Sequence, residues 1–140
     1  MNHLNKYQII KVPLAQKIGE NKYSIVSDNL LGFPDNLKIT EDNKLWVAIP
    51  SLRDQVTNLI DNNALIRKMI INSKIPVGLF LALANFSLSG AIKIDPHSGQ
   101  VEDYFMGKSD DIYFVTGALQ RGNKVYLSSL GNDFIAVLHY

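Results

Sequence analysis

The chain has 140 residues, enough for one domain, and 46% apolar against 19% charged residues is a core-forming composition that excludes a disordered polymer. A net charge of +1, with lysines scattered and no basic run longer than Arg67-Lys68, argues against the clustered basic face of a nucleic-acid binder. The absence of cysteine excludes disulfide frameworks, thiolate zinc sites and a cysteine nucleophile.

Met1 to Lys6 is polar and does not read as a signal peptide. The β-branched stretch Tyr7 to Val12 reads as a strand that Pro13 ends, because proline has no N–H for a ladder. Lys17 to Asn21 reads as a turn and Tyr23 to Val26 as the partner strand. Ser27-Asp28-Asn29 leads into Gly32-Phe33-Pro34-Asp35-Asn36-Leu37-Lys38-Ile39, where proline fixes a bend and delivers two adjacent oxygen-bearing side chains to a strand start. Thr40 to Asn43 turns this strand back into Leu45 to Ile49, with Trp46 and Val47 on opposite faces.

The period then changes. Val56, Leu59, Ile60, Ile66, Met69 and Ile70 recur at three- and four-residue steps, which predicts helix. Asp61-Asn62-Asn63 divides it, since Asn and Asp compete for backbone hydrogen bonds. Ile75 to Ala84 is the longest apolar run and falls well short of the ~20 residues of a membrane span. A short buried helix from Pro76 is the favoured reading, with a membrane-contacting or partner-facing insertion the other. Asn85-Phe86-Ser87 is a glycosylation sequon, relevant only on a secretory route.

Strands resume at Gly90 to Ile94 and Val101 to Phe105 around the turn Asp95-Pro96-His97-Ser98-Gly99. Further strands are expected at Ile112 to Thr116, Lys124 to Ser129 and Phe134 to Leu138, with turns at Gln120 to Asn123 and Gly131 to Asp133. About nine strands in hairpin order give meandering sheets. A strand-turn-strand unit occurs twice, from Asp35 to Val47 and from Phe114 to Ser128. The offset of roughly 80 residues suits blades of ~40–50 residues plus an insert. The expected fold is therefore all-β: propeller blades with a helical insertion over about residues 53–84. Nine strands make two blades and a remainder, so the remaining blades belong to a longer chain or a partner chain. Alone, such a piece exposes an unpaired sheet edge and is expected to aggregate or oligomerise.

Phe33-Pro34-Asp35-Asn36-Leu37, Leu45-Trp46-Val47-Ala48, Ile66-Arg67-Lys68 within the insert, Ser89-Gly90-Ala91 and Val125 to Leu130 together resemble the C-terminal part of the strictosidine synthase-like family. The insert looks closest to the adipocyte plasma membrane-associated branch. The resemblance runs from about Tyr7 to the C-terminus, so residues 1–140 read as one partial domain. It implies a six-bladed propeller and kinship with calcium-dependent arylesterases and lactonases of the paraoxonase type. It places Asp35 and Asn36 on calcium-binding positions facing the central tunnel, with a small ester or lactone as substrate. It also implies an endomembrane, secretory or membrane-associated location. The plant synthase's catalytic glutamate is matched by Gln120, whose amide has no titrating carboxylate to act as a general base, so amine–aldehyde condensation is not expected.

Each of these residues has a plainer reading. Asp35-Asn36 also reads as an Asx turn capping a strand. Gln120-Arg121 also reads as a solvated hairpin turn, with Gln120 as a tunnel-lining residue the alternative. Asp110-Asp111 reads as a solvated pair, and His3, His97 and His139 lack metal-ligand spacing. No phosphate-binding glycine loop, nucleophile elbow or His-Glu-x-x-His motif is present. A non-catalytic structural or interaction module is the competing function.

Overall fold

The structure is a computed structural model that describes residues 2–3, 6–14, 23–73, 88–108 and 111–140, without the side chains at 2, 3 and 55–57. The described residues form three antiparallel sheets that follow one another along the chain. The first contains β1 (Asn2–His3), β2 (Gln8–Lys11) and β3 (Ser24–Ser27) in that order. The second is a four-stranded meander of β4 (Leu37–Ile39), β5 (Leu45–Ile49), β6 (Leu88–Ile94) and β7 (Val101–Lys108). The third is β8 (Val115–Arg121), β9 (Lys124–Ser129) and β10 (Ala136–His139). Sheets in sequential hairpin order, stacked face to face, are the grammar of propeller blades, and the fold is an all-β propeller fragment.

Two cores hold the sheets together. Side chains alternate across a strand, so a strand between two sheets feeds both. Trp46 and Ala48 of β5, with Ala91 of β6, pack against Val115, Ala118, Val125 and Leu127 of the third sheet. Val47 and Ile49, with Ile92 and Ile94, pack the other way against Tyr7, Ile9 and Leu30. Trp46 to Ile49 are all at most 1% exposed, which marks the second sheet as the middle layer. The β6–β7 turn is also fixed to the first sheet. Gly99 has φ 74°, a Cβ there would lie 2.0 Å from the Val26 carbonyl oxygen, and Ser27 Oγ donates to the Gly99 carbonyl at 2.8 Å.

The helical insertion follows β5. Its described part is α1 (Gln55–Asn62) and α2 (Ala64–Asn72), divided at Asn63 within the expected break. The expected helix from Pro76 and the Asn85 sequon lie outside the described residues. Two expected boundaries need correction. The strand expected at Ile112–Thr116 begins at Val115, because Asp111 and Ile112 turn back to donate to the Lys108 carbonyl and Phe114 adopts φ 55°. Gln120 and Arg121, expected in a turn, are the last residues of β8; the turn is Gly122-Asn123, with Gly122 at φ 53°.

Candidate functional site

Asp35 and Asn36 immediately precede β4, the first strand of the middle sheet. Two backbone bonds hold them to β5: Asp35 N donates to the Ala48 carbonyl at 2.8 Å, and Ala48 N donates to the Asn36 carbonyl at 3.1 Å. Pro34 is buried behind them, so the bend is packed as well as hydrogen-bonded.

The Asn36 side chain reaches the next blade. Its Nδ2 donates to the Thr116 carbonyl at 2.7 Å. Thr116 can accept because β8 is bulged there: Val115 pairs with Ser129 and Gly117 with Ser128, leaving Thr116 outside the register. A bulge re-aims the groups of its extra residue, here toward the start of the neighbouring strand. With Nδ2 committed, the amide oxygen of Asn36 is left as its acceptor. Asp35 beside it is half-buried, and that burial pushes its carboxyl above the ordinary value.

Gln120 lies at the other end of β8, four residues or ~13 Å along the strand from Thr116. Its Oε1 accepts from the indole Nε1 of buried Trp46 at 2.9 Å, and its Nε2 donates to the Gly122 carbonyl at 3.3 Å. It borders a cavity of about 270 Å³ with Glu41, Asp42 and Gly122. The structure thus brings Asp35, Asn36 and Thr116 together at one end of β4 and β8 and puts Gln120 with the Glu41-Asp42 turn at the other.

The remaining candidates are dispersed. His97 lies in the β6–β7 turn, where its N–H donates to Asp95 Oδ1 at 2.7 Å, and His139 is exposed on β10. His3 belongs to β1, Asp111 is exposed in a turn, and Asp110 and Asn85 lie outside the described residues. Sequence reasoning missed a polar cluster formed by Tyr7, Asn29, Arg53 and Asp61. The left-handed backbones of Tyr7 (φ 53°) and Asn29 (φ 52°) help to build it, and only Asn gives a residue-type hint of that conformation.

Calcium is the ion that the family resemblance implies for the Asp35-Asn36 pair, and the donor chemistry can be set against it. A carboxylate and an amide oxygen on adjacent residues are hard donors, but calcium takes six to eight oxygens. Among the described residues no group of three His, Cys, Asp or Glu side chains is placed to hold a metal. The donor types suit the ion, and the pair alone supplies too few of them to hold it.

Comparison with known proteins locates this architecture. The chain is 27% identical over 124 residues to Strictosidine Synthase-Like 13 of Arabidopsis thaliana, covering 89% of this chain and 28% of that protein. It is 25% identical over 112 residues to Strictosidine Synthase-Like 3 of the same plant, covering 77% of this chain and 28% of that protein. The chain resembles the strictosidine synthase-like proteins. It spans a little over a quarter of the length of these two relatives. No protein-family model and no solved structure matches it. The strictosidine synthase-like resemblance supports the propeller reading of the three sheets. Asp35, Asn36 and Thr116 are thus strand-start groups of two successive sheets.

Proposed function

We propose that this chain forms part of a propeller that hydrolyses a small ester or lactone, with calcium held partly by Asp35 and Asn36. The observation that carries this reading is the bond from Asn36 Nδ2 to the Thr116 carbonyl, which fixes the amide across two blades beside a half-buried carboxylate. When bound, calcium would polarise the ester carbonyl and lower the pKa of water. The chain's own part is to orient the two side-chain oxygens: Pro34 sets the bend, the β5 backbone holds both residues, and the Thr116 bulge fixes the amide. The other ligands would come from further blades of a longer or partner chain. Location on an endomembrane, secretory or membrane-associated route, and glycosylation at Asn85, belong to the same proposal.

The metal-free chain sets the sign of a control. Burial raises the Asp35 pKa, so stability from its protonated form is present below the ordinary value of 3.8 and is lost as pH rises through the folded value. Asp35→Asn is therefore expected not to lower the metal-free melting temperature at pH 7. In the wild type assembled with its remaining blades, calcium should raise the melting temperature, and chelation should abolish phenyl acetate hydrolysis. Asp35→Asn should lose both responses. A wild type assembled with its remaining blades that shows no calcium shift and no chelator-sensitive hydrolysis would remove the enzyme reading.

A second reading, a non-catalytic structural or interaction module, is favoured by Gln120. Its amide is engaged by Trp46 and the Gly122 carbonyl, as a packing residue's would be. A stable complex with another chain and no calcium response would support it.

A further inference from the structure

Away from the Asp35 site, three segments converge on a polar cavity of about 330 Å³ between the first sheet and α1. Lys6 and Tyr7 come from the approach to β2, Asp28 and Asn29 from the exit of β3, and Arg53 and Asp61 from the start and end of the α1 region. The backbone is built to hold them. Leu30 N donates to the Tyr7 carbonyl at 3.1 Å, Arg53 N donates to the Leu31 carbonyl at 2.9 Å, and Tyr7 and Asn29 both adopt left-handed conformations.

Charge is arranged around one aromatic ring. The Arg53 guanidinium lies 4.1 Å over the centre of Tyr7. Its Nη1 donates to Asn29 Oδ1 at 2.8 Å and its Nε to Asn58 Oδ1 at 3.1 Å, both neutral amide oxygens. None of the ion pairs among the described residues involves Arg53. The Tyr7 hydroxyl donates to Asp61 Oδ2. A cation therefore sits on the face of the ring and a carboxylate at its tip, without neutralising each other directly. Lys6 and Asp28 add one further charge of each sign to the wall.

We propose that this cavity binds a small zwitterion, a free α-amino acid or a molecule with the same carboxylate–ammonium pair on a short spacer. Arg53 takes the carboxylate by charge-assisted hydrogen bonds, and Asp61 and Asp28 take the ammonium. The volume is at the small end of ligand cavities, which suits a molecule of this size. A polyanion would meet Asp28 and Asp61, and an apolar ligand would find a polar wall. The proposal stands apart from the ester-hydrolase reading, since none of these residues contributes to the Asp35 site.

The test is calorimetric titration of the full 140-residue chain with glycine, glutamate and lysine. Acetate and methylammonium at matched ionic strength serve as single-charge controls. Saturable binding of at least one amino acid is expected, with both controls at least about tenfold weaker, the scale of one lost charged contact. Arg53→Gln and Asp61→Asn should each weaken binding about tenfold or more. Asp28→Asn leaves the Arg53–Tyr7–Asp61 contacts in place and should also weaken it, so the proposal stays testable if the first two variants misfold. Absence of saturable binding overturns the proposal. So does acetate binding as tightly as the amino acids, or unchanged affinity in Asp28→Asn.

Discussion

Single residues in this chain act mostly through the partner that the fold brings to them. Asp95 is the clearest case. Lys44 Nζ lies 2.9 Å from its Oδ2 and 2.5 Å from Glu102 Oε1, while the N–H groups of His97 and Ser98 donate to its Oδ1. The Lys44 bond first, then the His97 N–H, pull the Asp95 carboxyl down to about 2. A lowered carboxylate contributes stability that is fully present above its ordinary value of 3.8 and is lost as pH falls through the folded value. Solvent around the pair keeps that contribution small. Asp95→Asn preserves the turn-capping oxygen but not the charge. In urea titrations at pH 7, 4 and 2, wild type and variant should differ at pH 7 and pH 4 and converge toward pH 2. A difference that stays constant down to pH 2 would show that the charge contributes nothing. The Asx turn itself was legible from Asp95-Pro96-His97-Ser98-Gly99, because local residue chemistry dictates it. The Lys44 partnership was not, because it depends on the register of β5 against β6, which places Leu45 opposite Ile94.

Elements repeat that division between local and long-range causes. The break between α1 and α2 was readable because Asn63 can do locally what the helix backbone needs. Its side chain accepts from Leu65 N at 3.1 Å and Ile66 N at 3.2 Å, and its own backbone is extended. No residue of α2 is buried, so packing does little to hold this helix and the cap has an outsized share. Asn63→Ala should cost about 1 kcal/mol, confined to the helix. Hydrogen exchange across Ala64–Asn72 should accelerate while the sheets stay unchanged, and a loss of global stability would show that α2 is coupled to the sheets. The start of β8 was misread for the opposite reason. Ile112 to Phe114 have strand-forming side chains, yet Ile112 is buried in the core and Phe114 takes a left-handed turn. Tertiary packing overrode propensity there. The Thr116 bulge that orients Asn36 was equally invisible, since nothing in Val115-Thr116-Gly117 announces a lost register with Ser128 and Ser129.

At the scale of the whole molecule, alternation and turn chemistry were enough to read the all-β meander and the recurring unit. The bond between Asn36 and Thr116 joins the starts of those two units, 80 residues apart. What patterning did not reveal was how the sheets share their cores. Trp46 to Ile49 is a continuous apolar run, and such a run signals burial on both faces without naming the layers that cover it. The structure identifies them as the third sheet for Trp46 and Ala48 and the first for Val47 and Ile49. The same strand is also bonded along both edges, to β4 and to β6. Water has no small opening through which to reach its peptide N–H groups. The amides of Trp46 to Ile49 should therefore be the slowest in the chain to exchange with deuterated solvent, and should exchange only when the three layers come apart together. Exchange of these amides at the rate of the β10 edge would mean that the layers separate one at a time.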